Sequence, residues 1–203
     1  MIHQTTMTTK TLITDITASH VDQTITLAGW VQNIRSSGKV AFIELRDGSG
    51  YMQCVIEPQF VEGFDDVASL GQESSVSLTG IVSKHPKKDE YELQVRSFEI
   101  FQNTKDYPLG TKADHGIDYL LDMRHLHLRS KSQVAIQRIR DTIIHATYDW
   151  MRDHRFTKID SPIFTPSACE GTTELYETKH INDEMMYLTQ SGQLYLEATI
   201  SAV

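Results

Sequence analysis

Two sets of side chains in this sequence carry usable chemistry. The first is Arg35, Phe42, Arg46 and Gln53, with Lys39 among them. A phenyl face stacks on a splayed nucleobase, a contact worth about 1–3 kcal/mol. A carboxamide offers both donor and acceptor to a base edge, and a guanidinium meets phosphate or base. The rival reading puts Phe42 in a hydrophobic core and the cations on a solvated face, and residue types alone leave that choice open. The second set is Glu170, Ser191 and Gln193. Glu170 lies in the loop Cys169-Glu170-Gly171-Thr172-Thr173-Glu174, where a carboxylate suits a ligand ammonium through a charge-assisted hydrogen bond. An ordinary exposed loop glutamate would look the same, and Ser191-Gly192-Gln193 means little by itself.

The elements that must position the first set are strands. Thr24–Arg35 alternates apolar and polar residues around a glycine, as a bent barrel strand does. Ser36-Ser37-Gly38-Lys39 reads as a turn and Val40–Arg46 as a second strand. Asp47-Gly48-Ser49-Gly50 is a hairpin signal before a third strand, Tyr51–Ile56. A stretch from Pro58 to about Leu70 has helical character. Ser75–Ser83 and Tyr91–Phe101 read as two more strands, joined by the basic tip Lys84-His85-Pro86-Lys87-Lys88. Five strands with a helix between the third and fourth is the order of an OB-fold, whose second and third strands face oligonucleotides.

The second set follows a different pattern. Asp106–Asp122 holds Pro108, Gly110 and Gly116 and reads as a hinge. Ser130 or Ser132 then caps a helix over Ser132–His154 with an apolar stripe of Ile136, Ile139, Ile143, Ala146 and Trp150. Such a stripe must be buried, against a sheet or a second subunit. Lys158–Phe164 reads as a strand. The expected fold class is therefore α+β with a β-barrel. Its expected organisation is a flexible stretch over 1–10, a barrel over 11–105, a hinge over 106–130 and a second domain over 131–203.

Composition narrows the partners. A charged share of 23% and a hydrophobic share of 39% fit a soluble globular chain, with no long apolar run or leader. Two cysteines far apart favour a cytoplasmic protein over a disulfide framework. A net charge of −8 argues against a general polyanion binder but permits a local basic face. His125-x-His127 lacks further ligands at metal spacing, so no metal site is expected.

Together these segments resemble the class IIb aminoacyl-tRNA synthetases, nearest their asparaginyl branch, from about Thr24 onward. The resemblance rests on Gly29-Trp30-Val31 with Arg35, on Phe42-Ile43-Glu44-Leu45-Arg46-Asp47-Gly48 with Gln53, and on Leu121-Asp122 followed by Arg124-His125-Leu126 and Leu128-Arg129. The strand around Pro162, Glu170-Gly171 and Ser191-Gly192-Gln193-Leu194 extend it. It implies an OB-fold that binds the tRNA anticodon, with Phe42 stacking on the central base, Gln53 reading it, and Arg35 and Arg46 nearby. It implies a homodimer built on the first family motif, through Ile143, Trp150 and Pro162. It implies an amino-acid pocket in which Glu170 holds the α-ammonium group beside Ser191 and Gln193.

One departure bears on the amino acid. Aspartyl enzymes of this group have a lysine three residues beyond the matching glutamine, where this sequence has Leu196. A buried carboxylate beside leucine would be costly, whereas an amide needs only hydrogen bonds. Ser-Gly-Gln in place of Ser-Pro-Gln agrees, so the implied substrate is asparagine. Another departure is Arg155 before Phe156, where relatives usually have glycine, which predicts an altered helix end.

The resemblance also implies that the segments supplying ATP-binding arginines and acidic Mg²⁺ ligands lie outside this sequence. It is expected to be the front part of an ATP- and Mg²⁺-dependent ligase, without catalytic residues of its own and inactive alone. Its alternatives are an aspartyl enzyme, a non-catalytic OB-fold RNA-binding module, and a paralogue resembling asparagine synthetase.

Overall fold

Alternating apolar residues close the first half of the chain into a barrel. The computed structural model describes residues 11–37, 39–110, 115–166 and 175–203, so the expected flexible stretch 1–10 lies outside the described residues. The chain divides into two compact units between His127 and Leu128.

In the first unit, β1 (Thr24–Ser37), β2 (Val40–Arg46), β3 (Tyr51–Ile56), β4 (Ser75–Lys84) and β5 (Tyr91–Gln102) form a closed barrel in the order β1-β2-β3-β5-β4. A short helix, α1 (Phe64–Ala68), lies between β3 and β4 in sequence. Every neighbouring pair is antiparallel except β3 and β5. The pleat sends Ala41, Ile43 and Leu45 inward and leaves Phe42, Glu44 and Arg46 outside. Leu27, Val31, Cys54, Leu78, Leu93 and Val95 complete the interior, and Val67 of α1 and Leu70 just after it join the same core.

Closure depends on backbones approaching closely where β1 leaves β4 for β2. Gly29 pairs with Val76 on β4, and its successor Trp30 pairs with both Ser75 and Arg46. A Cβ on Gly29 would stand 2.3 Å from the carbonyl oxygen of Arg46, which explains the glycine inside the strand. The β2–β3 turn is built on Asp47. Its carboxylate accepts from the Ser49 and Gly50 amides at 2.9 and 3.0 Å, and from the Ile13 amide at 2.7 Å. Burial alone would raise this carboxyl. The donors of Ile13, Ser49 and Gly50 together outweigh it and hold Asp47 below its ordinary value.

The expected hinge is partly helical. After Gly116 come α2 (Ile117–Asp122) and α3 (Arg124–His127). Ile117, Leu120 and Leu121 supply the i, i+3, i+4 spacing that the hinge reading overlooked. The breakers Pro108, Gly110 and Gly116 all precede it.

The second unit opens with α4 (Lys131–Asp153). Ser130, rather than Ser132, is its N-cap, its hydroxyl accepting from the Gln133 amide at 3.4 Å. Arg155 adopts a left-handed φ of 66° just beyond the helix. The amides of Arg155 and Phe156 return to the carbonyls of Arg152 and Met151, each at 3.0 Å. This is the bonding of a glycine-type C-cap, achieved with a side-chain-bearing residue at about 1–2 kcal/mol of backbone strain. The helix end therefore keeps its conformation despite the sequence departure.

Of the strand expected over Lys158–Phe164, only Phe164 is in a strand. β6 (Phe164–Thr165) pairs with β8 (Met185–Leu188), which also pairs with β7 (Glu177–Lys179). Pro162 has no N–H to donate, and the Ile163 carbonyl accepting from the Thr189 amide at 2.9 Å begins the pairing. A last helix, α5 (Gln193–Thr199), follows.

Candidate functional site

Strand register assembles the first candidate set. Arg35 on β1 pairs with Phe42 on β2, which pairs with Val55 on β3, which pairs with Gln94 on β5. The adjacent row runs Asn33, Glu44, Gln53 and Glu92. Arg35, Phe42 and Gln53 thus share the outer surface of the barrel. Phe42 is half-buried there and is no part of the core cluster, so the core reading of this residue fails on geometry.

The three side chains touch. The Arg35 guanidinium carbon lies 5.0 Å from the Phe42 ring centroid, and its Nη2 donates to Gln53 Oε1 at 2.9 Å. On the far side Gln53 Nε2 donates to Glu92 Oε2 at 2.9 Å. Gln94 Nε2 donates to the other Glu92 oxygen at 2.9 Å and to Ser83 Oγ at 3.1 Å. A guanidinium only donates and an ionised carboxylate only accepts, so the two fix which way the Gln53 amide faces. One lone pair of its oxygen and one N–H are thereby engaged, leaving the other of each as a donor–acceptor edge beside an aromatic ring. Cys54 lies buried next in the chain to Gln53; burial, and then the charge of Glu92, push its thiol up, so it stays protonated.

Arg46 behaves differently. Its Nη2 meets both carboxylate oxygens of Glu73 at 2.9 Å, with side chains only 14% and 3% exposed. The same guanidinium lies 5.2 Å from the Trp30 ring centroid. It is engaged within the barrel wall, apart from the Arg35–Phe42–Gln53 group. Lys39 is exposed in the β1–β2 turn. Glu92, Gln94 and Ser83 were missed in the sequence. Glu92 and Gln94 alternate with buried Leu93 and Val95 on β5. That signal was present, but the parallel register that brings them to Gln53 was not.

The second candidate set lies in the second unit, and Glu170 lies outside the described residues. A cleft of about 300 Å³ is lined by Ser161, Pro162, Phe164, Thr165, Ser191 and Tyr195, among others. Ser191 accepts from the Gln193 amide at 3.1 Å, and Thr189 Oγ1 donates to the Ser191 carbonyl at 2.5 Å. The Gln193 carboxamide instead points along α5, donating to Glu197 at 3.0 Å. Neither Gln193 nor Leu196 lines the cleft. Gly192 has a direct reason: a Cβ there would stand 2.5 Å from Ser161 Oγ and 3.6 Å from Leu196 Cδ1. Glycine lets the α5 turn approach the Ser161–Pro162 segment.

The helix α4 presents its apolar stripe openly. Ile139, Ile143 and Trp150 are 58%, 60% and 54% exposed, and Pro162 is exposed as well. Among the described residues no three His, Cys, Asp or Glu side chains converge to hold a metal ion, so no step through Mg²⁺ is assigned to them. Among the described residues no helix is long and apolar enough to cross a membrane.

Comparison with known proteins divides the chain in the same way. Residues 25–101 match the family described as OB-fold nucleic acid binding domain, and residues 116–203 match tRNA synthetases class II (D, K and N). The asparaginyl-tRNA synthetase of Pyrococcus horikoshii, solved with asparaginyl-adenylate, is 32% identical with a TM-score of 0.87. The match covers 96% of this chain and 45% of that one. The asparaginyl-tRNA synthetase of Entamoeba histolytica is 31% identical with a TM-score of 0.77, over 89% of this chain and 43% of that one. A putative aspartyl-tRNA synthetase from Leishmania major shares the fold at 24% identity and a TM-score of 0.78, over 100% of this chain and 43% of that one. The chain thus spans less than half the length of each of these relatives.

Proposed function

Since the chain belongs to the class II tRNA synthetases of the D, K and N group, with an OB-fold nucleic-acid-binding domain before the synthetase segment, we propose that it is the anticodon-reading and amino-acid-selecting part of an asparagine–tRNA ligase. In the whole enzyme an asparagine carboxylate oxygen attacks the α-phosphorus of ATP. The bond to the β-phosphate oxygen breaks, and pyrophosphate leaves. A hydroxyl of the tRNA's terminal ribose then attacks the acyl carbon and expels AMP. The residues of this chain bind and select, with Mg²⁺ and the phosphate-holding groups supplied elsewhere in the enzyme.

In this reading Phe42 stacks on the central anticodon base, Gln53 meets its edge, and Arg35 holds the Gln53 oxygen and faces the same base. The observation that carries it is the Gln53 amide fixed between Arg35 and Glu92 beside an outward Phe42. Arg46, committed to Glu73, is left out of this surface. Glu170 holds the α-ammonium group beside Ser191 of the cleft, and Gln193, its side chain turned along α5, steadies Ser191 through its backbone amide. By the family resemblance, Leu196 stands where the aspartyl enzymes have the lysine that meets an aspartate side chain, which favours asparagine. The open stripe of α4, with Ile143 and Trp150, and exposed Pro162 support a homodimer. The working compartment is the cytoplasm, where tRNA is charged.

The test is binding of an RNA stem-loop carrying an asparagine anticodon. Phe42→Ala should weaken it by about 1–3 kcal/mol, roughly 5- to 150-fold. The loss should vanish when the central base is abasic, because no ring then remains to stack. Wild-type affinity in Phe42→Ala would overturn the assignment. For the amino acid, a polypeptide continuing through the rest of the synthetase domain should exchange pyrophosphate at least about tenfold faster with asparagine than with aspartate, a difference of about 1.4 kcal/mol. Aspartate outrunning asparagine would favour the aspartyl alternative.

A further inference from the structure

The alternation of β5 breaks at Arg96, as it does again at Phe101 near the end of the strand. Leu93 and Val95 point inward, and Phe98 and Ile100 pack against the core, yet Arg96 and Ser97 between them are both exposed. On β4, Thr79 pairs with Ser97 and Gly80 with Val95, so Arg96 is an extra residue without a ladder partner. Such a bulge re-aims a side chain. Gly80 makes it possible, since a Cβ there would lie 2.3 Å from the Gln94 carbonyl oxygen.

Arg96 is re-aimed onto an aromatic ring. Its guanidinium carbon lies 4.0 Å from the centroid of Phe60, closer than the 5.0 Å of Arg35 and Phe42. Phe60 is 48% exposed, lies outside the core cluster, and is held by its amide donating to the Glu57 carbonyl at 3.0 Å. Nothing in barrel packing calls for this ring at the surface.

Resting on the RNA-binding reading above, we propose that Phe60 and Arg96 form a second base-stacking platform, taking a nucleobase that flanks the one on Phe42. Phenyl faces and guanidinium planes both stack on unpaired bases. The place is continuous with the first platform. Phe42, Val55 and Gln94 lie side by side on adjacent strands, and Arg96 is two residues beyond Gln94 on the same outer face. Two strand spacings and two residue rises put Arg96 about 12 Å from Phe42, within reach of a splayed single-stranded loop. Glu57, Glu62, Asp65 and Asp66 flank Phe60 in sequence. Their charge repels phosphate, so the platform suits the uncharged face of a base.

The experiment uses the full chain and anticodon stem-loops carrying 2-aminopurine at single loop positions. Phe60→Leu should weaken binding about 5- to 150-fold and change the fluorescence of 2-aminopurine at a flanking position, not the central one. The salt dependence should keep its slope, because no phosphate contact is lost. Phe60→Tyr should restore binding, since the aromatic face returns. Phe42→Ala is the control for the underlying reading. If Phe42→Ala weakens binding and Phe60→Leu, folded by circular dichroism, leaves both signals unchanged, only this proposal falls. If neither variant matters, the RNA-binding reading falls with it. A flatter salt slope in Arg96→Gln with Phe60→Leu silent would mean a phosphate contact and would overturn the stacking platform.

Discussion

Arg46→Met is expected to lower the stability of the barrel by about 3–5 kcal/mol. The Glu73 side chain is 3% exposed and meets the Arg46 guanidinium through both oxygens at 2.9 Å. Glu73 also sits in left-handed backbone at φ 64°, pinned by its amide donating to the Val31 carbonyl at 2.7 Å. It therefore has no easy route to solvent once the guanidinium is gone. Methionine replaces the stem but withdraws the guanidinium that meets both oxygens of this buried carboxylate. Urea denaturation followed by amide exchange in β1 and β2 would measure the loss. The double variant Arg46→Met with Glu73→Gln should recover much of it, since the buried charge is then removed too. A single-variant loss under about 1 kcal/mol, typical of an exposed pair, would sink the claim. RNA binding by the folded fraction should be unaffected, which separates Arg46 from Arg35.

Gly29→Ala should cost about 3 kcal/mol, the upper part of the range for overpacking. The new methyl would meet the Arg46 carbonyl oxygen at 2.3 Å and its carbon at 3.0 Å. These are backbone atoms of the neighbouring strand, so no rotamer change relieves the clash. The strand must instead shift where β1 leaves β4 for β2, and the closure of the barrel depends on that passage. Gly110→Ala is the matched control, with nothing within 4 Å of its Cβ, and should be neutral or slightly stabilising. Equal midpoints for the two variants in thermal unfolding would show that the close approach is not what requires glycine.

The sequence made the barrel legible because alternation and turn chemistry act locally. The expected bounds of β2 and β3 coincide with those observed, and β1, β4 and β5 run one or two residues further than expected. Asp47-Gly48-Ser49-Gly50 forms its turn with Gly48 at a φ of 89°. The role of Arg46 was illegible for a different reason. It alternates outward like Phe42, and only the fold reveals that a loop glutamate in an uncommon backbone conformation waits beside it. Glu92 was hidden in the same way, because parallel register cannot be read from either strand alone. The bulge did leave a mark: Val95-Arg96-Ser97-Phe98 breaks the period by one residue. In the second unit, Pro162 truncated an expected strand, and the asparagine reading rests on Leu196 and Gly192 by resemblance.

The Gln53 amide, tied at both ends before any ligand arrives, has an entropic consequence. A glutamine that is free to rotate surrenders about 0.5–1.5 kcal/mol of conformational freedom when a partner immobilises it. Here that freedom was given up during folding, when Arg35 and Glu92 took opposite ends of the side chain. An incoming base meets a group that is already still, so little ordering is left to oppose a correct match. A mismatched base finds an amide that cannot flip without breaking two bonds at once. Rigidity acquired on folding thus becomes discrimination on binding.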